Sequence, residues 1–252
     1  MPKSAAVRRV EPRVYPAGRA LALFGIGDAG LVGRRLVVDG RRIQGLRFGR
    51  LALLVAYVDP LEYAPEEIER RRGRESWLWN EARIHERTVE RAATHGTVVP
   101  ARLLTVFPDS AALELSAREH AARWARSLGR IGAQRECVLH VFAGPHAPPG
   151  REPYLVRVTG RVARGRRAAA FKGEPRLGEH IAALRNACAE AALAMRRIAP
   201  STERGAVLTA AFLTGEAGLE TLRQAVERSA EAGASLGVTA YLEGPRVPFS
   251  FV

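Results

Sequence analysis

Three strand-like runs follow one another near the start of the chain and constrain its first part more than any other feature. The runs are ALALFGI from Ala20, RRLVVDGRRIQGL from Arg34 and LALLVAYV over 51–58. The Asp39-Gly40 pair inside the second run is a strong signal for a tight hairpin turn. We therefore expect a sheet that begins at about residue 20, after a loose N-terminal segment over 1–19.

The first run overlaps Gly25-x-Gly27-x-x-Gly30, which has the spacing of a dinucleotide-binding loop. Such a loop needs a helix that begins at the glycines and faces the pyrophosphate with its N-terminus. The following segment LVGRRLVVDG disfavours a helix through its β-branched pair and its Asp-Gly turn. The acidic residue expected about 20 positions further on is also missing. We expect no bound cofactor, and a nucleotide-dependent oxidoreductase is only an alternative.

Two amphipathic helices and a short strand are expected next. SWLWNEARIHERTVERAATHG over 76–96 carries apolar residues at helical spacing, and His85 lies on the inward stripe as a core histidine. Asp109 or Ser110 caps a second helix, which Gly129 ends. Between the helices, TVVPARLLTVF is predicted to be a buried strand interrupted by Pro100, at an edge or a bulge.

The second half of the chain repeats strand and helix patterns in a recognisable order. ECVLHVF over 136–142 is a strand, and AGPHAPPGREP over 143–153 is a loop. A poorly defined stretch follows the loop, and then come a helix over 176–195, a strand over 206–213, a helix over 218–233 and a strand over 235–244. From residue 136 we predict strand–helix–strand–strand–helix–strand, the ferredoxin-like order. The fold class is α+β with two domains, 20–130 and 131–252; a boundary inside the 143–153 loop is the alternative.

The charge of the chain invites a nucleic-acid hypothesis. The net charge is +13, yet many arginines alternate with glutamates, as in EEIERRRGRE over 66–75, which is typical of a solvated, ion-paired face. The densest patch without acids, over 157–172, has one aromatic residue and lacks the stacking surfaces of single-strand binders. We expect no specific nucleic-acid partner, and a basic nucleic-acid-binding protein remains the alternative. No run approaches the roughly 18 apolar residues of a membrane span, so we expect no membrane partner.

The chemistry-bearing residues do not assemble into a catalytic or metal motif. None of the six histidines belongs to an HExxH motif or lies at metal-ligand spacing from a cysteine. Cys137 and Cys188 are far apart and are interpreted as small buried hydrophobic residues in a reducing cytoplasm. No nucleophile elbow or phosphate loop is present. The residues indicate a protein that is not an enzyme and holds no metal.

Several separated segments resemble the gas vesicle protein F/L family, in the order in which that family has them. IHERTVERAATHGTVVPARLLTVFPD resembles the family's His-Glu-Arg helix and its Val-x-Pro-x-Arg-Phe-Gly-Thr-x-Phe strand, with Leu103 and Leu104 in place of Phe-Gly. REPYLVRVTGR is similar to its Tyr-Leu-x-x-Arg. YLEGPRVPFSFV is similar to its terminal Gly-Pro-x-Pro-Pro-Tyr-Ser-Phe, and this chain has Val247, Pro248 and Phe249 where the family ends Pro-Pro-Tyr. The match covers nearly all of residues 20–252.

The resemblance implies a two-domain α+β protein whose C-terminal domain is a modified ferredoxin-like fold. It implies a non-enzymatic accessory or minor structural protein of gas vesicles. Its expected partners are the hydrophobic shell protein and other gas vesicle accessory proteins, and its expected location is the cytoplasm, in association with the gas vesicle. Such a carrier needs sheet edges or apolar patches to receive an aggregation-prone partner.

The resemblance also singles out residues of the family signature as candidates for partner contact. They are His85, Pro100, Arg102, Phe107, Tyr154, Leu155, Gly244, Pro245, Pro248, Phe249 and Phe251. Two interpretations of the terminal GPRVPFSFV are open. Its aromatic residues either supply apolar area to a partner or pack back onto the C-terminal sheet.

Overall fold

A computed structural model of the chain describes residues 19–72, 75–143, 175–199, 206–233 and 236–251, which form two antiparallel sheets with five α-helices. The first sheet has the order β2-β3-β4-β1-β5, and β6 also pairs with β1. Its strands are β1 (Ala20–Gly27), β2 (Arg35–Val38), β3 (Arg41–Phe48), β4 (Leu51–Val58), β5 (Val98–Pro100) and β6 (Val106–Phe107). The three strand-like runs of the sequence thus form its body.

The hairpin between β2 and β3 turns at the predicted dipeptide. Val38 pairs with Arg41, so only Asp39 and Gly40 lie in the loop. Both have positive φ, 48° and 80°, as the tight primed turns that match strand twist require. The Asp39 carboxylate also accepts hydrogen bonds from Arg87, at 2.8 and 3.0 Å, and this contact ties the hairpin to the long helix that follows.

Three helices accompany the first sheet: α1 (Pro65–Arg72), α2 (Glu75–Ala93) and α3 (Ser110–Ile131). Sequence reasoning missed α1, because its sequence PEEIERRR carries almost no apolar stripe. Asp109 caps α3 as predicted, since its side chain accepts a hydrogen bond from the Ala112 N–H at 2.8 Å. The predicted end at Gly129 is wrong. The helix continues to Gly132, where φ is 50° and the N–H bonds to the Leu128 carbonyl.

The segment between α2 and α3 is not one strand interrupted by proline. It forms the short strands β5 and β6, which both pair with β1 and are separated by the connecting loop 101–105. Pro100 ends β5, which lies at the edge of the sheet, as predicted for a residue that lacks an N–H donor. The loop closes through the Arg102 carbonyl, which accepts hydrogen bonds from the N–H and the hydroxyl of Thr105.

The second sheet contains β7 (Arg135–Ala143), β8 (Ala194–Ile198), β9 (Ala206–Thr214) and β10 (Val238–Arg246) in the order β10-β7-β9-β8. Helices α4 (Pro175–Glu190) and α5 (Glu216–Gly233) connect them along the chain. All neighbouring strands in this sheet are antiparallel. In this order β9 lies between β7 and β8, and β7 lies between β9 and β10. This is the ferredoxin-like, split strand–helix–strand arrangement, and it confirms the α+β fold class.

One secondary-structure prediction in this half is wrong. The helix expected over 176–195 ends at Glu190, and Ala194 and Met195 belong to β8. Alanine and methionine favour helices intrinsically, but pairing with β9 outweighs that preference here.

Three apolar clusters hold these layers together. One face of the first sheet packs against α3 through Leu113, Ala117 and Leu128. One face of the second sheet packs against α4 and α5, and both free cysteines are buried in that cluster. The third cluster combines α2 and the first sheet with residues of the second sheet and of the C-terminal segment.

The glycine motif of the first strand has a packing explanation. It leads into a three-residue 3₁₀ turn, Ala29–Leu31, rather than a helix, which confirms the expectation that no helix of useful length follows. The Asp28 carboxylate accepts hydrogen bonds from the N–H groups of Gly30 at 2.9 Å and Thr97 at 2.7 Å. A Cβ added to Gly27 would lie 2.4 Å from Leu31 Cδ1. The glycines let the turn and β1 approach each other closely.

Within the described ranges, no helix is both long enough and apolar enough to cross a membrane.

Candidate functional site

The C-terminal tail, which we define as Val247–Phe251, is held by a buried carboxylate at the start of the second sheet. Glu136 on β7 accepts hydrogen bonds from the Ser250 N–H at 2.7 Å and the Ser250 hydroxyl at 3.2 Å. Arg246 donates to the same carboxylate from Nε at 3.3 Å and Nη2 at 3.2 Å. Burial raises the pKa of the Glu136 carboxyl group, whereas Arg246 and Ser250 act in the opposite direction.

Two further arginines bind the backbone of the tail from different elements. Arg130 in the last turn of α3 donates to the Phe251 carbonyl oxygen at 2.7 Å. Arg196 on β8 donates to the Ser250 carbonyl oxygen. The tail is therefore connected both to α3, which packs on the first sheet, and to β7 and β8 of the second sheet.

Phe249 inserts into the cluster shared by the two sheets and lies beside His85. The ring centroids of these two residues are 6.1 Å apart, and the Phe24 ring of β1 has its centroid 5.7 Å from that of His85. His85 is 2% exposed, and neither ring nitrogen has a hydrogen-bond partner among the described residues. Burial lowers the pKa of His85 to about 4; a backbone group of Ala101 opposes this shift without making a hydrogen bond of ordinary geometry. His85 is accordingly neutral near pH 7.

His85 also borders a small cavity, and a cluster of polar side chains forms part of its lining. The cavity has a volume of about 10 Å³, and the connecting loop 101–105 forms part of its wall. The Arg41 guanidinium binds both Glu81 oxygens, at 2.8 and 2.9 Å, and the Tyr63 hydroxyl donates to Glu81 at 2.8 Å. Burial and the Glu81 charge raise the pKa of Tyr63. All three side chains satisfy one another, so the cluster is a structural link between β3, α2 and the segment after β4.

The other signature residues lie in several places. Arg102 is exposed in the connecting loop, and Phe107 on β6 packs against the α3 side of the first sheet, in a different apolar cluster from Phe249. Gly244 has a φ of 119°, its peptide bond to Pro245 is cis, and a Cβ there would lie 2.7 Å from the Glu136 carbonyl oxygen. Tyr154 and Leu155 lie outside the described residues.

The structure thus brings some of the signature together and leaves the rest apart. Phe249 lies in one apolar cluster, Phe251 packs against that cluster, and the His85 ring lies beside the Phe249 ring. Pro248, which precedes Phe249, is also buried. Phe249 is 8% exposed and Phe251 is half-buried. Both aromatic side chains of the tail are therefore packed against other parts of the same chain.

Sequence reasoning missed the residues that hold the tail. Glu136 is the second residue of β7 and directly precedes the apolar run over 137–139, and Arg246 lies between Pro245 and Pro248. A charged residue at the start of a buried strand was the available signal, because such a group needs a partner when it is buried. Which partner it takes is visible only in the structure.

The described residues offer no arrangement for metal or nucleophilic chemistry. Among them, no group of three or more histidine, cysteine, aspartate or glutamate side chains could hold a metal ion. Burial raises the pKa of the thiols of Cys137 and Cys188 to about 11, so both stay protonated and unreactive near pH 7.

The most exposed apolar residues of the second sheet lie at the edge formed by β8. Leu193, which precedes the strand, is 66% exposed, and Met195 is 40% exposed. Other large exposed hydrophobic side chains in the described part of the chain are scattered, and they are Val37, Leu61 and Leu115.

Comparisons with known proteins agree with this architecture. Two solved structures are similar to the chain: the gas vesicle protein GvpF from Anabaena sp. PCC7120, with a TM-score of 0.65, and GvpF from Microcystis aeruginosa, with a TM-score of 0.63. Each is 14% identical in sequence, and each alignment covers 92% of this chain and 98% of the other. At that identity the likeness shows the fold.

No curated protein sequence is significantly similar to the chain. The family model described as gas vesicle synthesis protein GvpL/GvpF matches residues 23–252. This match covers nearly the whole chain, from the first strand to the tail. The chain therefore belongs to the GvpL/GvpF family of gas vesicle synthesis proteins.

Proposed function

We propose that this chain is a non-enzymatic accessory or minor structural protein that binds the hydrophobic shell protein of gas vesicles and supports their assembly in the cytoplasm. The observation that carries the proposal is the match of the GvpL/GvpF family model over residues 23–252. The ferredoxin-like second sheet, with exposed apolar residues at one edge, supports it. A carrier of an aggregation-prone partner needs such an edge.

The packing of the tail bears on where such binding takes place. Phe249 is in the core, and Ser250 is engaged by Glu136. A partner could reach these groups only by breaking buried hydrogen bonds. We propose that the signature residues of the tail hold the layers of the molecule in place, and that exposed surface makes the contact with the shell protein.

The arrangement of arginines bears on the nucleic-acid alternative. In the described ranges, Arg41 is paired with Glu81, Arg83 and Arg87 with Asp39, and Arg246 with Glu136. The basic patch over 157–172 lies outside the described residues. Pairing with carboxylates reduces the positive potential available to phosphates.

The proposal is tested by co-elution of the full-length chain with the purified major shell protein at moderate salt. An equal mass of RNA is present as a competitor. We expect the shell protein to be retained and the RNA to be lost as the salt concentration rises, since non-specific phosphate contacts weaken steeply with salt. Retention of RNA alone would overturn the proposal and favour the nucleic-acid alternative.

A further inference from the structure

The strand β8 is an edge that the described part of the second sheet leaves open on one side. It pairs with β9 through five residues, Ala194 to Ile198, and none of the five is fully buried. Edge strands usually avoid large apolar side chains, because exposed N–H and C=O groups beside them invite pairing with another chain. Leu193 and Met195 depart from that rule, at 66% and 40% exposure.

The two faces of β8 differ. Arg196 reaches the tail, and Ile198 packs against the apolar cluster between the sheets. Because side chains alternate along a strand, Met195 and Arg197 project from the opposite face. Leu193 directly precedes the strand, and its N–H donates to the Leu213 carbonyl oxygen. The edge therefore presents two exposed apolar side chains followed by a cation.

The arginines of β8 indicate which kind of strand can pair with this edge. A second copy of β8 paired antiparallel about its centre would set Arg196 opposite Arg196, and like charges directly opposite each other destabilise a strand pair. An extended segment with a carboxylate opposite Arg197 would instead form a cross-strand ion pair, and apolar side chains opposite Leu193 and Met195 would bury their exposed area. The edge therefore suits an acidic–apolar strand and not itself.

We propose that β8 is the docking edge for the partner, and that it adds an extended segment with apolar side chains opposite Leu193 and Met195 and a carboxylate opposite Arg197. Main-chain hydrogen bonds supply the affinity of such strand addition, and the alternating side chains supply its specificity. This inference rests on the proposed function, since it assigns a surface to that same binding event.

Two variants at the β8 edge test the inference in the shell-protein co-elution assay. Leu193→Lys removes apolar area, and Arg197→Glu reverses the charge; Arg196 is kept because it holds the tail. Matched controls on α3 are Leu115→Lys, a residue that is 68% exposed, and Arg123→Glu, which is also exposed. We expect each β8 variant to lower retention of the shell protein at least tenfold and each control to leave it within twofold. Equal effects of the variants and their controls would overturn the inference and leave the proposed function intact.

A strand probe separates failure of the inference from failure of the proposed function. The probe is an acetylated peptide at millimolar concentration in which a glutamate and two valines occupy successive alternate positions, with threonine between them, and its counterpart carries lysine in place of glutamate. We expect the glutamate peptide alone to slow amide hydrogen exchange of residues 194–198 at least threefold. Exchange that neither peptide slows would overturn the inference whatever the shell protein does. A β8-dependent dimer of the chain in solution would also overturn it, in favour of a second copy.

Discussion

Arg246 Nη2 lies 3.2 Å from Oε1 of Glu136, and both side chains are almost fully removed from solvent, at 4% and 0% exposure. Glu136 is the second residue of the first strand of the second sheet, and Arg246 ends its last strand. The same carboxylate receives two hydrogen bonds from Ser250. One buried group therefore fixes both the edge pairing of β10 with β7 and the path of the tail.

Replacing this carboxylate is expected to be costly. Glu136→Gln keeps the shape of the side chain but leaves the buried Arg246 charge with only the partly exposed Glu243 as a counter-ion. Removing one partner of a buried ion pair typically costs about 3–5 kcal/mol, and we expect the free energy of unfolding to fall by about 3 kcal/mol. Denaturant titration of the full chain, followed by circular dichroism, measures the change.

Glu243→Gln is the matched control. Glu243 also binds Arg246, at 2.8 Å, but its side chain is 27% exposed. A partly solvated pair contributes roughly 0–1 kcal/mol, so this variant should lose less than about 1 kcal/mol. Similar losses in the two variants would contradict the view that burial makes the Glu136 pair decisive.

Truncation within the tail separates packing from surface contact. Phe249→Ala removes a core side chain, and truncations of this kind cost about 3–5 kcal/mol. Phe251→Ala, at a half-buried position, should cost clearly less. If the tail were a partner-contact surface, Phe249→Ala would instead weaken retention of the shell protein and leave the denaturation midpoint unchanged.

Local patterns predicted much of this fold because their causes are local. The Asp39-Gly40 turn requires two positive φ angles, and the sequence supplies residues that tolerate them. Asp109 caps α3 through an N–H three residues away. Strand 51–58 is apolar throughout and is buried in the centre of the sheet. Each of these features depends on residues that are neighbours in the sequence.

The remaining features depend on residues that meet only in the folded chain. Met195 lies in a strand because β9 offers it a partner, although its own sequence favours a helix. Glu136 and Arg246 are separated by 110 positions in the sequence and meet across a strand pair. No local pattern encodes either contact. Recognition of the family suggested that the tail matters, but it left open how the tail is held.

A residue in the connecting loop carries backbone strain that the family pattern avoids. Leu104 has a φ of 61°, and the resembling family pattern has glycine at this position. A left-handed conformation costs an L-residue roughly 1–2 kcal/mol. Leu104→Gly relieves that cost but loses a half-buried side chain, so its proper reference is Leu104→Ala, which loses the same contacts and keeps the strain. We expect the glycine variant to be more stable than the alanine variant by about 1 kcal/mol in denaturant titrations. An alanine variant of equal stability would show that the loop relaxes without strain.

The buried His85 makes the stability of the chain depend on pH in a defined direction. Its pKa is about 4 in the folded chain against 6.5 for the free side chain, so the unfolded chain binds the proton more tightly. The stabilisation is fully present above pH 6.5 and is lost as the pH falls toward and below 4. At 1.36 kcal/mol per pKa unit, this residue alone should lower the free energy of unfolding by about 2 kcal/mol between pH 7 and pH 4.5.

His85→Met fills the site with a flexible apolar side chain and should remove that part of the pH dependence, whereas His95→Gln, at an exposed histidine, should retain it. Denaturant titrations at the two pH values measure the difference, and parallel pH profiles for His85→Met and the unmodified chain would show that folding does not lower the pKa of His85.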